Sequence, residues 1–196
     1  GVAKSLSNIG VVHNFKGELD AALDYHSRSH AIKEELGDKH GMGWDLNSIG
    51  VVNYNKGELD KALDCYNRSL EVSEELDDKS MSGWNLIGIG LAHAGKGNLD
   101  TALDFYDRCL EVRKEVDDKY GMGWLFTCIG LTHYNRGDLD KALEHYHKSL
   151  KIQKELGDKH GMLYSFFNCG LVYANKGEYD EALDHHSKSL ELRREI

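Results

Sequence analysis

The chain has 196 residues, 40% of them hydrophobic, no proline, and a formal net charge of −9 with histidine neutral. That acidic balance, with no basic stripe, excludes nucleic acid and anionic membrane as natural partners. No run approaches the roughly 18 apolar residues of a membrane span, and no charged-then-apolar secretory segment opens the chain.

From the N-terminus the chain advances in steps of 40 residues. Gly10, Gly50, Gly90, Gly130 and Gly170 mark the step, and so do Gly17, Gly57, Gly97, Gly137 and Gly177. Ala22-Leu23, Ala62-Leu63, Ala102-Leu103, Ala142-Leu143 and Ala182-Leu183 keep the same register. The repeats are therefore 1–40, 41–80, 81–120, 121–160 and 161–196, without insertion or deletion. A fixed period of this size marks a solenoid-like array, here one elongated domain over 1–196. Gly1 falls in the middle of a repeat, which suggests a fragment of a longer chain.

The second repeat shows the unit. Gly37 suits the left-handed residue after a helix, and Asp38 suits the N-cap of the next. Asp77-Asp78, Asp117-Asp118 and Gly157-Asp158 are the equivalent pairs. Met42, Leu46, Ile49 and Val52 recur at helical spacing and predict helix A over Lys39 to Asn55. Gly57 stops it. Leu59, Ala62, Leu63, Tyr66, Leu70 and Val72 predict helix B over Leu59 to Leu76. A link of about three residues makes the two antiparallel neighbours. Gly50 inside helix A costs about 1 kcal/mol against alanine, so its recurrence implies close helix approach, with Ala62 expected to face it. Ser29, Ser69, Cys109, Ser149 and Ser189 form a third small position, expected where the next helix A docks. Asp64, Asn67, Arg68, Glu71, Glu74 and Glu75 read as a solvated outer face.

Leu46, Ile49-Gly50, Gly57, Leu59, Ala62, Tyr66 and Leu70 carry a family pattern. It resembles the tetratricopeptide repeat, and the match runs through the whole chain. The usual unit is about 34 residues with a proline near its end. Here the unit is longer and Leu-Gly-Asp-Lys stands in place of the proline. That variety resembles the repeats of Pins-type G-protein-signalling-modulator scaffolds and, less closely, kinesin light chain. It is also similar to sensor arrays of prokaryotic signalling and caspase-like protease proteins. The resemblance implies an all-α solenoid of five helix-turn-helix repeats stacked in a right-handed superhelix, with a concave groove lined by the A helices.

Chemistry other than binding finds little support. Cys65, Cys109, Cys128 and Cys169 include no C-x-x-C pair and read as reduced thiols, three of them packed small residues, of a cytoplasmic protein. His26 with His30, His145 with His147, and His185 with His186 are candidate metal ligands, His26 and His30 at a genuine ligand spacing. Yet His26 and His186 occupy the slot of Tyr66, Tyr106 and Tyr146, while His13, His93 and His133 occupy that of Asn53 and Tyr173. Packing explains them without a metal. No Gly-rich phosphate loop, H-E-x-x-H or G-x-S-x-G occurs. The expectation is no catalytic residue, no metal and no cofactor.

The aromatic series Trp44, Trp84, Trp124 and Tyr164, with Lys4 in the first repeat, is the most informative feature. It either packs on the preceding helix B or lines the groove. Trp44, Asn47, Val51 and Tyr54 share one stripe of helix A, distinct from the stripe of Leu46, Ile49 and Asn53. Extended through the repeats, the groove set adds Asn55, Trp84, Ile87, Leu91, Trp124, Thr127, Leu131, Tyr134, Asn135, Tyr164 and Phe167. Pins-type grooves carry basic residues for acidic peptides; this stripe is apolar and aromatic instead. The expected function is a protein-protein interaction scaffold binding a peptide or helical segment through apolar anchors. The alternatives are a self-assembling structural module and a regulatory or sensor array attached to a catalytic domain elsewhere. Tyr179, Leu183, Leu190 and Leu192 form a stripe suited to a further repeat, so further chain or end-to-end stacking into a homo-oligomer is also expected.

Overall fold

A computed structural model describes all 196 residues. They form ten α-helices and no strand: α1 (Val2–Phe15), α2 (Leu19–Glu35), α3 (Lys39–Asn55), α4 (Leu59–Glu75), α5 (Lys79–Gly95), α6 (Leu99–Glu115), α7 (Lys119–Arg136), α8 (Leu139–Leu156), α9 (Lys159–Lys176) and α10 (Tyr179–Glu195). Odd-numbered helices are the A helices of the sequence pattern and even-numbered ones the B helices. Links of two or three residues allow only a reversal of direction, so each A helix returns along its B helix.

The chain divides into two compact units, Gly1–Val112 and Arg113–Ile196. In the first, α1 packs on α2 and α3 on α4, and α3 and α5 each dock on the pair before. Leu46, Val52, Tyr66, Met81, Leu86 and Ile89 fill its interior. In the second, α7 pairs with α8, α9 with α10, and α9 docks on α7 and α8. Its core holds Ala142, Leu143, Tyr146, Leu150, Phe166, Cys169 and Val172.

Helix ends follow the sequence signals. Asp38, Asp118 and Asp158 accept the backbone N–H of Gly41, Gly121 and Gly161, and Asp78 accepts that of Met81. Each satisfies one of the unpaired N–H groups at a helix start. Gly37 and Gly157 precede two of these caps at φ +67°. Asp77 and Asp117 hold the same backbone shape at φ 52° and 49°, a conformation aspartate tolerates better than most residues.

The close contact within a pair differs from expectation. A methyl group added at Gly50 would lie 2.7 Å from the ring of Tyr66, not against Ala62, which is nonetheless fully buried. Tyr106 and Tyr146 cover Gly90 and Gly130 alike, and His26 and His186 cover Gly10 and Gly170. The large flat ring lies on the bare backbone, so the glycine marks a ring seat. The third small position also differs. Ser29, Ser69, Cys109, Ser149 and Ser189 donate to carbonyls of Ala3, Gly43, Gly83, Gly123 and Leu163 on the A helix of their own repeat. They clasp the pair itself, and Ser149 in addition accepts from Ser165 of the next A helix at 3.2 Å.

Candidate functional site

The A helices carry the candidate binding residues, and each unit presents its own set. In the first unit Trp44, Val51, Tyr54, Trp84 and Leu91 are half-buried and Asn55 is exposed. The Trp44 indole lies edge-on to His40, one turn earlier, at 6.5 Å between ring centres. His40 Nε2 is 3.3 Å from Trp44 Nε1 and 3.0 Å from Asp78 Oδ2. A single nitrogen cannot serve both neutral roles: unprotonated it accepts from the indole, protonated it donates to Asp78. In the second unit Trp124, Leu131, Tyr164 and Phe167 expose 38%, 40%, 53% and 45% of their surface. Tyr134 there is half-buried and Asn135 exposed.

Two residues of the expected set are not accessible. Ile87 is 2% exposed and Thr127 7%. The Thr127 hydroxyl lies 2.9 Å from that of Ser149. Their slot on the helix faces the following repeat rather than solvent. In the same slot Ser7 donates to Asp45 at 2.6 Å and Asn47 to Asn85 at 2.7 Å. Asn55 of the expected set, and Asn175 in the same slot, donate to Asn14 and to the Tyr134 hydroxyl of the preceding A helix.

Sequence reasoning missed the buried polar residues at these junctions. Asp45 is 1% exposed and forms an ion pair with Lys33 at 2.9 Å. Lys33 Nζ also donates to Ser7 and to the Gly41 carbonyl. An isolated charge at this depth would be costly, and the acid, the hydroxyl and the carbonyl together satisfy the ammonium. Arg113, in the slot of Lys33, is buried and pairs with Asp118. The available signal was a polar residue at the Lys33 slot in every repeat, inside an otherwise apolar stripe.

The histidines stack on aromatic rings. His13 lies on Tyr25, His93 on Phe105 and His133 on His145, with ring centres 5.1, 5.6 and 5.5 Å apart. Tyr173 and His185 make the corresponding contact at 4.9 Å. Burial first, then the nearby Lys148 and His133 charges, push His145 down to about 4, so it is neutral at physiological pH. The four cysteines are buried free thiols, and burial pushes Cys169 up to about 12. A thiol held protonated in this way is a packing group.

No curated protein matches the sequence. Among solved structures, BtubC (BKLC) from P. vanneervenii superposes with a TM-score of 0.80 at 18% identity, covering 97% of this chain and 79% of that one. A Rap protein complexed with competence and sporulation factor gives 0.90 at 15% identity, covering 97% and 53%. The chain thus spans about half the length of that Rap protein. A putative kinesin light chain from Podosopora anserina, with nearly identical TPR-like repeats, gives 0.68 at 12% identity, covering 98% and 95%. At these identities the likeness is one of fold. The tetratricopeptide repeat model matches residues 1–75, 45–115 and 121–195, so five glycine-seated helix pairs and this match agree: the chain belongs to the tetratricopeptide repeat family.

Proposed function

We propose that the chain is a non-catalytic interaction module of the cytoplasm whose A-helix faces bind a peptide or helical segment of a partner protein. The observation that carries this reading is the aromatic row. Trp44 and Trp84 in one unit, and Trp124 and Tyr164 in the other, stay accessible while the next slot along the helix is buried at Ile87 and Thr127. A fold that needed these rings only as core would have closed over them; exposed aromatic area is the usual mark of a binding surface. Similar folds have been solved in complexes: a Rap protein with competence and sporulation factor, and the Rap conjugation gene regulator of plasmid pLS20 with the Phr* peptide. The ligand is a segment with apolar anchors, held on either unit by burial of aromatic surface, beside Val51, Tyr54 and Leu91 in the first and beside Leu131 in the second.

A peptide-library selection on the intact chain, followed by titration of the selected peptide, tests this. Truncating an aromatic anchor costs about 2 kcal/mol or more. Trp84→Ala and Trp124→Ala are therefore each expected to weaken binding at least about tenfold with helicity unchanged. Raised salt changes affinity little, because few fixed charges line these faces. Affinity that survives both substitutions and collapses in salt refutes the reading.

A further inference from the structure

We propose that the groove between α8 and α10, on the B-helix side of the second unit, is a second binding site that takes an acidic peptide segment of a partner protein. It shares no residue with the aromatic row. Phe166 and Tyr173 of α9 form its floor. His147 and Lys154 of α8 form one wall, and His185 and Lys188 of α10 the other. Lys154 Nζ and Lys188 Nζ come from these two walls to 5.6 and 5.9 Å from the centre of the Phe166 ring. The His185 ring lies 5.9 Å from that of Phe166 and 4.9 Å from that of Tyr173. His147 Nε2 is 3.5 Å from the Tyr173 hydroxyl, and the two imidazoles stand 6.3 Å apart. The α10 residues turn toward α9 and α8, so the groove is bounded on both sides within the unit.

The period supplies the comparison. What the stacked pairs need for folding returns every 40 residues, and this set does not. Between α2 and α4 the same slots hold Ser27, Glu34, Leu46, Asn53, Cys65 and Arg68. Leu46 and Cys65 are as well buried there as packing requires, at 6% and 9% exposed. Packing therefore does not call for a phenyl ring or an imidazole, and it does not call for the change from Glu34 to Lys154.

Charge selects the occupant. Lys188 pairs with Asp184, and Lys148 with Glu144. Lys154, and Lys151 one turn before it, are exposed and pair with no carboxylate. Burial first, then the charges of His185 and Lys154, push the His147 imidazole down, so the groove resists a further positive charge. An anion relieves that repulsion. The His185 Nδ1–H donates to the Glu181 carbonyl at 2.9 Å, which leaves Nε2 to take up a proton and donate to an anion. Phe166 and Tyr173 are two helical turns apart, about 10 Å. The lysines stand at the Phe166 end and His147 at the Tyr173 end, so a single small anion reaches only one of them. An extended segment with acidic side chains a few residues apart reaches both. The net charge of −9 on the whole chain repels a polyanion such as nucleic acid.

Fluorescence anisotropy tests this with the intact chain and a labelled peptide of alternating glutamate and serine, against the same peptide with glutamine for glutamate. The acidic peptide is expected to bind and the glutamine peptide not to. Lys154→Glu combined with Lys188→Glu weakens binding at least about tenfold, whereas Lys61→Glu on α4 does not. All three lysines are exposed, and unchanged helicity checks that the variants fold. Raised salt weakens this binding, and in proton NMR the peptide moves the ring resonances of His147 and His185 but not those of His13 and His93. Trp84→Ala leaves the affinity for the acidic peptide unchanged, which separates this result from the aromatic-row one. Equal affinity for the two peptides, native affinity in the double lysine variant, or unmoved His147 and His185 resonances overturns the proposal. So does displacement of the peptide by an equal concentration of inorganic phosphate or single-stranded DNA, or a self-associated chain that the peptide dissociates to 22.1 kDa.

Discussion

The ring of Tyr146 occupies the space a side chain at Gly130 would need. A carbon added there would lie 2.7 Å from the ring, and the ring is 1% exposed with nowhere to retreat. Gly130→Leu is expected to cost about 1–3 kcal/mol by overpacking, while Lys151→Leu on the exposed face stays within about 0.5 kcal/mol. In thermal unfolding, equal melting temperatures for the two would contradict the ring seat. His145 gives a pH dependence. Its folded-state pKa is about 4 against a reference of 6.5. Between those values the unfolded chain binds a proton that the folded chain excludes, so stability falls as pH drops from 6.5 toward 4. Phenylalanine fills the same slot at Phe105, so His145→Phe should fold and lose part of that acid sensitivity. Melting curves across this range check it; an undiminished fall in the variant would rule His145 out as a contributor.

At the scale of the element, each helix is short and leans on its ends and its neighbour. Asp158 caps α9 by accepting from Gly161 N–H at 3.0 Å. Asp158→Ala leaves that donor to water and is expected to cost about 1 kcal/mol, which lowers the melting temperature by about 2–4 °C in a chain of this size. An unchanged melting temperature would mean that docking on α7 and α8, rather than the cap, sets the start of α9. Docking matters more than amphipathic pattern here. Leu125, Ile129 and Thr132 of α7 are all nearly inaccessible, because an A helix is covered on several sides while a B helix keeps one solvated face. That difference explains how Asp64, Arg68 and Glu71 of α4 stand in water although Asp45 of α3 does not.

For the whole molecule, the strict period makes a repeat removable. Each repeat leans on its neighbours only, so stability is close to a sum of repeat and junction terms. Deleting residues 41–80 within the first unit joins His40 to Met81 and preserves the register. The new junction places Asn85 where Asp45 stood, leaving the buried ammonium of Lys33 without its carboxylate. Breaking a buried ion pair costs about 3–5 kcal/mol. The shortened chain is expected to remain helical but to melt well below the same chain carrying Asn85→Asp. Circular dichroism of the pair checks this; indistinguishable melting would show that the Lys33–Asp45 contact contributes nothing at this junction.

The sequence by itself determined the repeat length, the helix limits and the family. Those depend on local signals that survive in one dimension: Gly37 and Asp38 at a helix boundary, the spacing of Leu46, Ile49 and Val52, and a step of 40 residues. It also determined that His26 and His186 take packing positions, since Tyr stands in their slot in the other repeats. Only the tertiary structure decided which residue faces which. Ala62 and Tyr66 lie one turn apart on the same stripe, and which of them lies against Gly50 depends on the angle between two helices, which no spacing records. Ile87 and Thr127 share a helix with Trp84 and Trp124, three residues away, and differ from them only in what the neighbouring A helix covers. Lys33 reads as surface in any list of residues, because a charge becomes part of a core only when another part of the chain, here Asp45, arrives to pair with it.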